Sequence, residues 1–235
     1  HSSYIDSLTG CEIYFKCENF QKMGAFKMRG AINAIKHLTD EERQKGVVTH
    51  SSGNFAQAVA LGAKLLGVKA YIVMPENAPK VKKNAVLDYG GEVIACAATI
   101  QARETMAAKV QKEKGATFLH PYNQNEVIAG QGTAAIELFK EIEALEIILT
   151  PVGGGGLISG TALACHYFSP NIEVIGAEPE NVDDAYRSLI SGKIEVNETT
   201  NTIEFYNIML DKWTNLSIQM PIKIAKYGLG RTDEN

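Results

Sequence analysis

The stretch Ile147-Ile-Leu-Thr-Pro151-Val-Gly-Gly-Gly-Gly-Leu-Ile-Ser-Gly160 decides the fold: an apolar strand, four consecutive glycines, then the opening of a helix. Consecutive glycines let backbone N–H groups turn toward one point with no Cβ in the way. The helix N-terminus adds unpaired N–H donors and a partial positive charge. Such a junction cradles an anion, phosphate above all. As a plain turn, the same glycines would cost chain entropy and stabilise nothing. A Walker loop is excluded because no Gly-Lys-Ser/Thr follows. The dinucleotide pattern G-x-G-x-x-G fails in every register across 153–160, although Glu178 imitates the acid that binds a ribose about 20 residues further on.

Outward from this junction, short β-branched runs alternate with longer amphipathic stretches. Strands are expected at Glu12–Lys16, Gly46–Thr49, Ala70–Val73, Glu92–Ala95, Thr117–Leu119, Ile147–Val152 and Val174–Gly176. Helices are expected at Lys27–Leu38, Phe55–Leu66, Pro79–Tyr89, Ile100–Lys114, Gly132–Glu143 and Leu157–Tyr167. That alternation predicts an α/β protein built from βαβ units, with parallel or mostly parallel sheets and ligands at the strand C-termini. Residues 46–123 read as a small α/β lobe inserted into a larger lobe made of 1–45 and 124–202. Residues 203–235 form a tail without strand–helix alternation.

Hydrophobic residues make up 45% of the 235-residue chain, charged residues 21%, and the net charge is −4. No basic field exists to hold nucleic acid or anionic lipid. No apolar run reaches the roughly 18 residues of a membrane span. Cys11, Cys17, Cys96 and Cys165 form no CxxC pair, as in a reduced cytoplasmic protein. The start at His1 suggests an incomplete N-terminus, and no signal peptide is expected.

Three further constellations carry chemistry. In Lys22-Met-Gly-Ala-Phe-Lys-Met-Arg-Gly30, Lys27 stands near a helix start, where the dipole disfavours a cation, between apolar Phe26 and Met28. A partly buried lysine has a lowered pKa and can form imines. With a phosphate cradle, such a lysine points to pyridoxal phosphate (PLP); the alternative is an ordinary solvated lysine. In Thr49-His-Ser-Ser-Gly-Asn54, Ser52 can move a proton and Asn54 can hold a phenolic oxygen, or the segment is only an N-cap turn. His50 reads as a satisfied strand histidine. In Glu178-Pro-Glu-Asn-Val-Asp-Asp184, clustered carboxylates suit Mg2+ or Ca2+, or form a solvated loop.

With Ala129-Gly-Gln-Gly-Thr133, these segments resemble the serine racemase and serine/threonine dehydratase family, within the tryptophan-synthase-β-like class of PLP enzymes. The resemblance runs from about Ser2 to Ile203. It implies a two-lobed PLP enzyme that racemises serine and eliminates water from serine or threonine. Lys27 would carry the covalent link to PLP and move the α-proton on one face. Ser52 would be the acid/base on the other. Phe26 would lie beside the pyridine ring, and Asn54 would bond the phenolic oxygen. Gly153, Gly154, Gly155, Gly156 and Leu157 would bind the phosphate. Glu178, the Val182 carbonyl and Asp184 would hold the divalent cation. Ser2, Ser3, Tyr4, Lys22, Met23, Gln57 and Tyr89 would form a site for ATP, an activator, at a homodimer interface.

The sequence departs from the family in three places. Phe55 stands where a histidine is usual, so altered packing is expected. Glu204-Phe205 replaces the Ala-Asp-Gly that follows Thr202-Ile203. No residue corresponds to the small polar side chain that meets the pyridine nitrogen. An inactive family remnant and a dehydratase without racemisation are the rival readings within the family. A dinucleotide-dependent oxidoreductase is the rival outside it, and it leaves Lys27 and the Ser52–Asn54 turn without a role.

Overall fold

The computed structural model describes residues 1–179 and 182–197, and the backbone of 222–226. Strands β1 (Val47–His50), β2 (Ala70–Pro75), β3 (Glu92–Cys96) and β4 (Thr117–Phe118) form an all-parallel sheet in the order β3-β2-β1-β4. Its crossovers are α4 (Asn54–Leu65), α5 (Lys80–Asp88) and α6 (Ile100–Lys114). A second sheet pairs β5 (Ile147–Pro151) in parallel with β6 (Glu173–Pro179), joined by α8 (Gly156–Phe168). β7 (Ile222–Lys226) adds to β6 in antiparallel fashion. The remaining helices are α1 (Ser3–Thr9), α2 (Lys27–Lys36), α3 (Asp40–Lys45), α7 (Asn125–Glu141) and α9 (Asp184–Ser191). The protein is α/β with mostly parallel sheets.

The apolar faces of these elements account for the layers. Ile72 and Met74 of β2, Phe55 and Val59 of α4, and Ala31 and Ile35 of α2 form one buried cluster on one face of the first sheet. Val48, Tyr71 and Val73 turn to the other face, against Ala107 and Val110 of α6. Both faces of the central strands are therefore covered, so β2 reads as a continuous apolar run. In the second sheet, Ile148 and Val174 pack on Ile158, Ala164 and Cys165 of α8. The opposite face of β5 leaves Ile147 and Leu149 exposed. No helix among the described residues is long and apolar enough to cross a membrane.

The structure corrects several expectations. Residues 12–16 form no strand and pair with no strand among the described residues. The Ile13 N–H is taken by Asp6 Oδ1 at 2.8 Å and Lys16 pairs with Glu137 at 2.8 Å, so the segment is a strap held by side chains. α7 begins at Asn125 and runs straight through Gly130 and Gly132, seven residues ahead of the expected start. α3 and α9 are additional; α3 carries a Thr39–Glu42 capping box, a local signal worth about 1 kcal/mol. β7 falls in the tail read as featureless, where Ile222 and Ile224 alternate with Lys223. The Glu204-Phe205 departure lies outside the described residues.

The glycines inside α7 have a packing cause. A Cβ on Gly130 would stand 2.6 Å from the Arg29 carbonyl oxygen and from Gly30 Cα, both on α2. A Cβ on Gly132 would stand 2.5 Å from the Gly160 carbonyl oxygen, on α8. α7 therefore touches α2 on one side and α8 on the other, backbone to backbone. Gly130→Ala should lower stability by about 1–3 kcal/mol through forced separation of α2 and α7. Thermal unfolding followed by circular dichroism measures this, and an unchanged transition would contradict the close approach.

Candidate active site

Lys27 opens α2, whose N-cap, Phe26, offers no side-chain acceptor. The first free N–H groups of the helix are met elsewhere. Met28 and Arg29 donate to the Ala25 and Phe26 carbonyls, and Gly30 donates to Oε1 of the wholly buried Gln131 at 3.2 Å. Lys27 Nζ donates to the Pro121 carbonyl at 2.7 Å and lies 5.2 Å from the Phe26 ring centroid and 5.7 Å from that of Phe55. Burial among these rings brings its amine down to about 8 from 10.5, the direction expected when water is removed from a cation. Phe55 is 2% exposed, with its ring beside the amine.

Two residues beyond Lys27, Arg29 anchors the helix. Its guanidinium meets Glu18 at 2.7 and 2.8 Å and Glu137 at 2.7 Å through two nitrogens, and it also donates to Thr133 Oγ1 at 3.0 Å. The hydrogen bond from Arg29, with help from Lys16, holds the Glu137 carboxyl down to about 2. Arg29 was not among the residues expected to matter, although it lies inside the lysine motif. Only the fold brings two carboxylates to it.

The remaining groups gather at strand C-termini. β1 ends at His50 and is followed by Ser51, Ser52 and Gly53, with Ser52 half-buried and Asn54, the first residue of α4, exposed. β4 ends beside it and leads into His120-Pro121-Tyr122-Asn123, with the His50 and His120 rings edge to face at 6.3 Å. His120 Nδ1 accepts the N–H groups of Tyr122 at 3.3 Å and Asn123 at 2.9 Å, so the neutral ring carries its proton on Nε2. Burial, then His50 and Lys27, hold His120 below its usual range. Gly153, Gly154 and Gly155 follow β5, and Gly156 and Leu157 open α8. Gly155 has φ +81°, a left-handed conformation suited to glycine. The Cβ positions of Gly153 and Gly155 are open, whereas Gly154 and Gly156 are closed by Tyr122.

Glu178, one residue before the end of β6, is 2% exposed. Its carboxylate accepts the N–H groups of Ala185 at 3.2 Å and Tyr186 at 2.8 Å, which caps α9. Burial pushes this carboxyl up, against those two hydrogen bonds, and Asp184 and Asp183 push the same way as burial. Asp184 Oδ1 accepts from Asn197 Nδ2 at 2.6 Å, and Val182 is half-buried one turn before. Among the described residues no group of three His, Cys, Asp or Glu side chains forms a metal site.

Residues 1–208 match the pyridoxal-phosphate dependent enzymes. The chain belongs to that family. It is 53% identical to the serine racemase of Dictyostelium discoideum over 194 residues, covering 83% of this chain and 60% of that protein. It is 48% identical to the beta-hydroxyaspartate dehydratase of Paracoccus denitrificans over 202 residues, covering 86% and 64% respectively. The structure of maize serine racemase superposes with a TM-score of 0.83 at 50% identity, over 85% of this chain and 61% of that one. The chain thus spans about 60% of the length of its serine racemase relatives.

As a pyridoxal-phosphate dependent protein, the chain must offer an amine and an anion cradle, and both fit. Lys27 is half-buried with its amine drawn toward neutrality, and the Gly153–Gly156 loop meets a helix N-terminus with open space at two Cβ positions. The residues assigned by resemblance to a nucleotide are only partly assembled. Met23, at φ +58°, and Tyr89 pack on the core cluster that includes α4, the helix bearing Gln57, with Lys22 exposed beside Met23. Ser2, Ser3 and Tyr4 belong to the start of α1, which buries no residue.

The lowered Lys27 pKa sets a pH dependence. The folded chain releases this proton near pH 8 and the unfolded chain near 10.5, so between those values the unfolded state binds more protons and stability rises with pH. Acylation of Lys27 in the cofactor-free protein, followed by peptide mass spectrometry, should show a midpoint near pH 8. A midpoint matching that of exposed Lys109 would contradict the burial.

Proposed function

We propose that the protein is a PLP-dependent serine racemase that also eliminates water from serine or threonine to give a 2-oxo acid and ammonia. The observation carrying this reading is the half-buried Lys27 amine held by the carbonyl of Pro121, the residue before Tyr122, which touches the glycine loop. Sequence relatives named as serine racemase and as a dehydratase support the two outcomes together.

PLP, when bound, supplies an electron sink that acidifies the α-hydrogen of an amino acid and labilises its β-hydroxyl. Lys27 would hold the cofactor covalently, and its Nζ, when free, would take the α-proton from one side. Burial brings the pKa of that amine down to about 8, so it gives up its proton far more readily than an exposed lysine, as a base requires. Ser52 Oγ returns a proton to the same carbon from the other side, which inverts the centre. If instead the hydroxyl on Cβ takes up a proton and departs as water, the electron pair left at Cα forms the Cα–Cβ double bond and the outcome would be elimination. Phe26 packs beside the ring, Asn54 bonds the phenolic oxygen, and the N–H groups of Gly153, Gly154, Gly155, Gly156 and Leu157 hold the phosphate.

The same reading includes a small lobe over residues 46–123 and a divalent cation, Mg2+ or Ca2+, held by Glu178, the Val182 carbonyl and Asp184. The buried Glu178 carboxyl, which feels the charges of Asp184 and Asp183, supports the cation. It further includes a homodimer with ATP near Tyr4, Met23, Gln57 and Tyr89, supported by Met23 and Tyr89 sharing a core cluster with α4. A cytoplasmic setting agrees with Cys11, Cys17, Cys96 and Cys165 all being free.

Incubation with PLP and L-serine, followed by chiral chromatography and a pyruvate assay, tests the proposal. D-serine and pyruvate should both appear. Ser52→Ala should cut D-serine formation by about 10²-fold or more, the size of one acid/base contribution, with a smaller loss of pyruvate. Pyruvate without D-serine from the unaltered chain would favour a dehydratase. Neither product from a folded, PLP-loaded chain would sink the proposal.

A further inference from the structure

The residue in direct contact with the glycine loop is one that no motif singles out. Tyr122 follows Pro121, whose carbonyl accepts a hydrogen bond from Lys27 Nζ at 2.7 Å. A Cβ on Gly154 would overlap Cγ and Cδ1 of the Tyr122 ring and stand 2.7 Å from Cδ2, so the ring lies on the backbone of Gly154. A Cβ on Gly156 would stand 2.9 Å from the Tyr122 carbonyl oxygen and 3.0 Å from its Cα and Cβ. Two of the four glycines are therefore required by this one tyrosine. Gly155 is suited to its turn by φ, and Gly153 is unconstrained.

Tyr122 is 41% exposed, and its place is set by its backbone and by one ring contact. Its N–H and that of Asn123 both point to His120 Nδ1, and the His120 N–H donates to Gln124 Oε1 at 3.0 Å. The His120 and Tyr122 rings meet edge to face at 4.6 Å. A run of four glycines would otherwise sample many conformations and lose that freedom on binding an anion. A rigid ring laid on its second member removes the freedom beforehand.

We infer that Tyr122 is a positioning residue for the phosphate cradle: its ring, braced by His120, fixes the Gly153–Gly156 loop relative to Lys27 before any ligand arrives. The inference rests on the reading that this loop takes the phosphate of PLP. It assigns a role to the turn after β4 and explains why a flexible tract can serve as a preorganised site.

The test titrates PLP onto the purified chain and its variants, following the absorption of protein-bound cofactor, with thermal unfolding of each variant in parallel. Tyr122→Ala should raise the Kd for PLP by about tenfold or more, while Tyr122→Phe, which keeps the ring, should stay within about twofold. Gly154→Ala should lower Tm by several degrees in the natural background and by much less together with Tyr122→Ala, because the ring that its methyl meets is gone. Tyr122→Leu serves where the alanine variant fails to fold, and should also weaken PLP binding. If the unaltered chain takes up no PLP, the cofactor reading fails, and the unfolding cycle still decides whether the ring braces the loop. If it binds PLP and Tyr122→Ala or Tyr122→Leu binds equally well, or if Gly154→Ala costs the same in both backgrounds, the inference is overturned.

Discussion

Backbone contact on both sides of α7 is the constraint on which the rest of the molecule depends. Gly130 lets α7 lie against α2 at Arg29 and Gly30, and Gly132 lets it lie against α8 at Gly160. α2 begins with the lysine, and α8 begins with the glycine loop. One helix thus sets the spacing between the two groups that a phosphorylated aldehyde must reach together. Helices normally pack about 8–10 Å apart through side chains, and glycine pairs permit closer approach with little room for adjustment. Gln131, between the two glycines, adds a hydrogen bond to the start of α2, and Arg29 ties the same helix to Glu18 and Glu137. The lysine therefore rests on an end of α2 fixed by backbone contact, a buried amide and a charge network.

Around that frame the electrostatics are arranged by removal of water more than by opposing charge. The causes that bring the Lys27 amine down contain burial and no ion-pair partner. His120 is kept neutral by burial and by two N–H groups aimed at Nδ1. The nearest strong ion-pair network is turned away along α2, where Arg29 is satisfied by carboxylates. An amine in such surroundings can be neutral without losing its place, because the Pro121 carbonyl and two aromatic rings hold it whichever charge it bears.

Much of this was legible in the sequence, for identifiable reasons. The central strands β1 and β2 are buried on both faces and so appear as short apolar runs, while the glycine loop and the lysine lie in contiguous motifs. What escaped depends on distance in space. The strap at 12–16 alternates like a strand, but a strand needs an edge, and here Asp6 and Lys16 supply other bonds. Gly130 and Gly132 look like helix breakers until α2 and α8 are seen against them. Arg29 carries no local signal of Glu137, 108 residues away, and Tyr122 none of the glycine loop, about thirty residues away in sequence. β7 has a short alternating pattern, and only the free edge of β6 turns it into a strand.

The most direct measurement is to load the chain with PLP, reduce it with borohydride, digest it and locate the phosphopyridoxyl group by peptide mass spectrometry. A single modification on Lys27 is the outcome that follows from the frame described above. A chain that remains unmodified, or one in which the label is spread over exposed lysines with Lys27 spared, would contradict it.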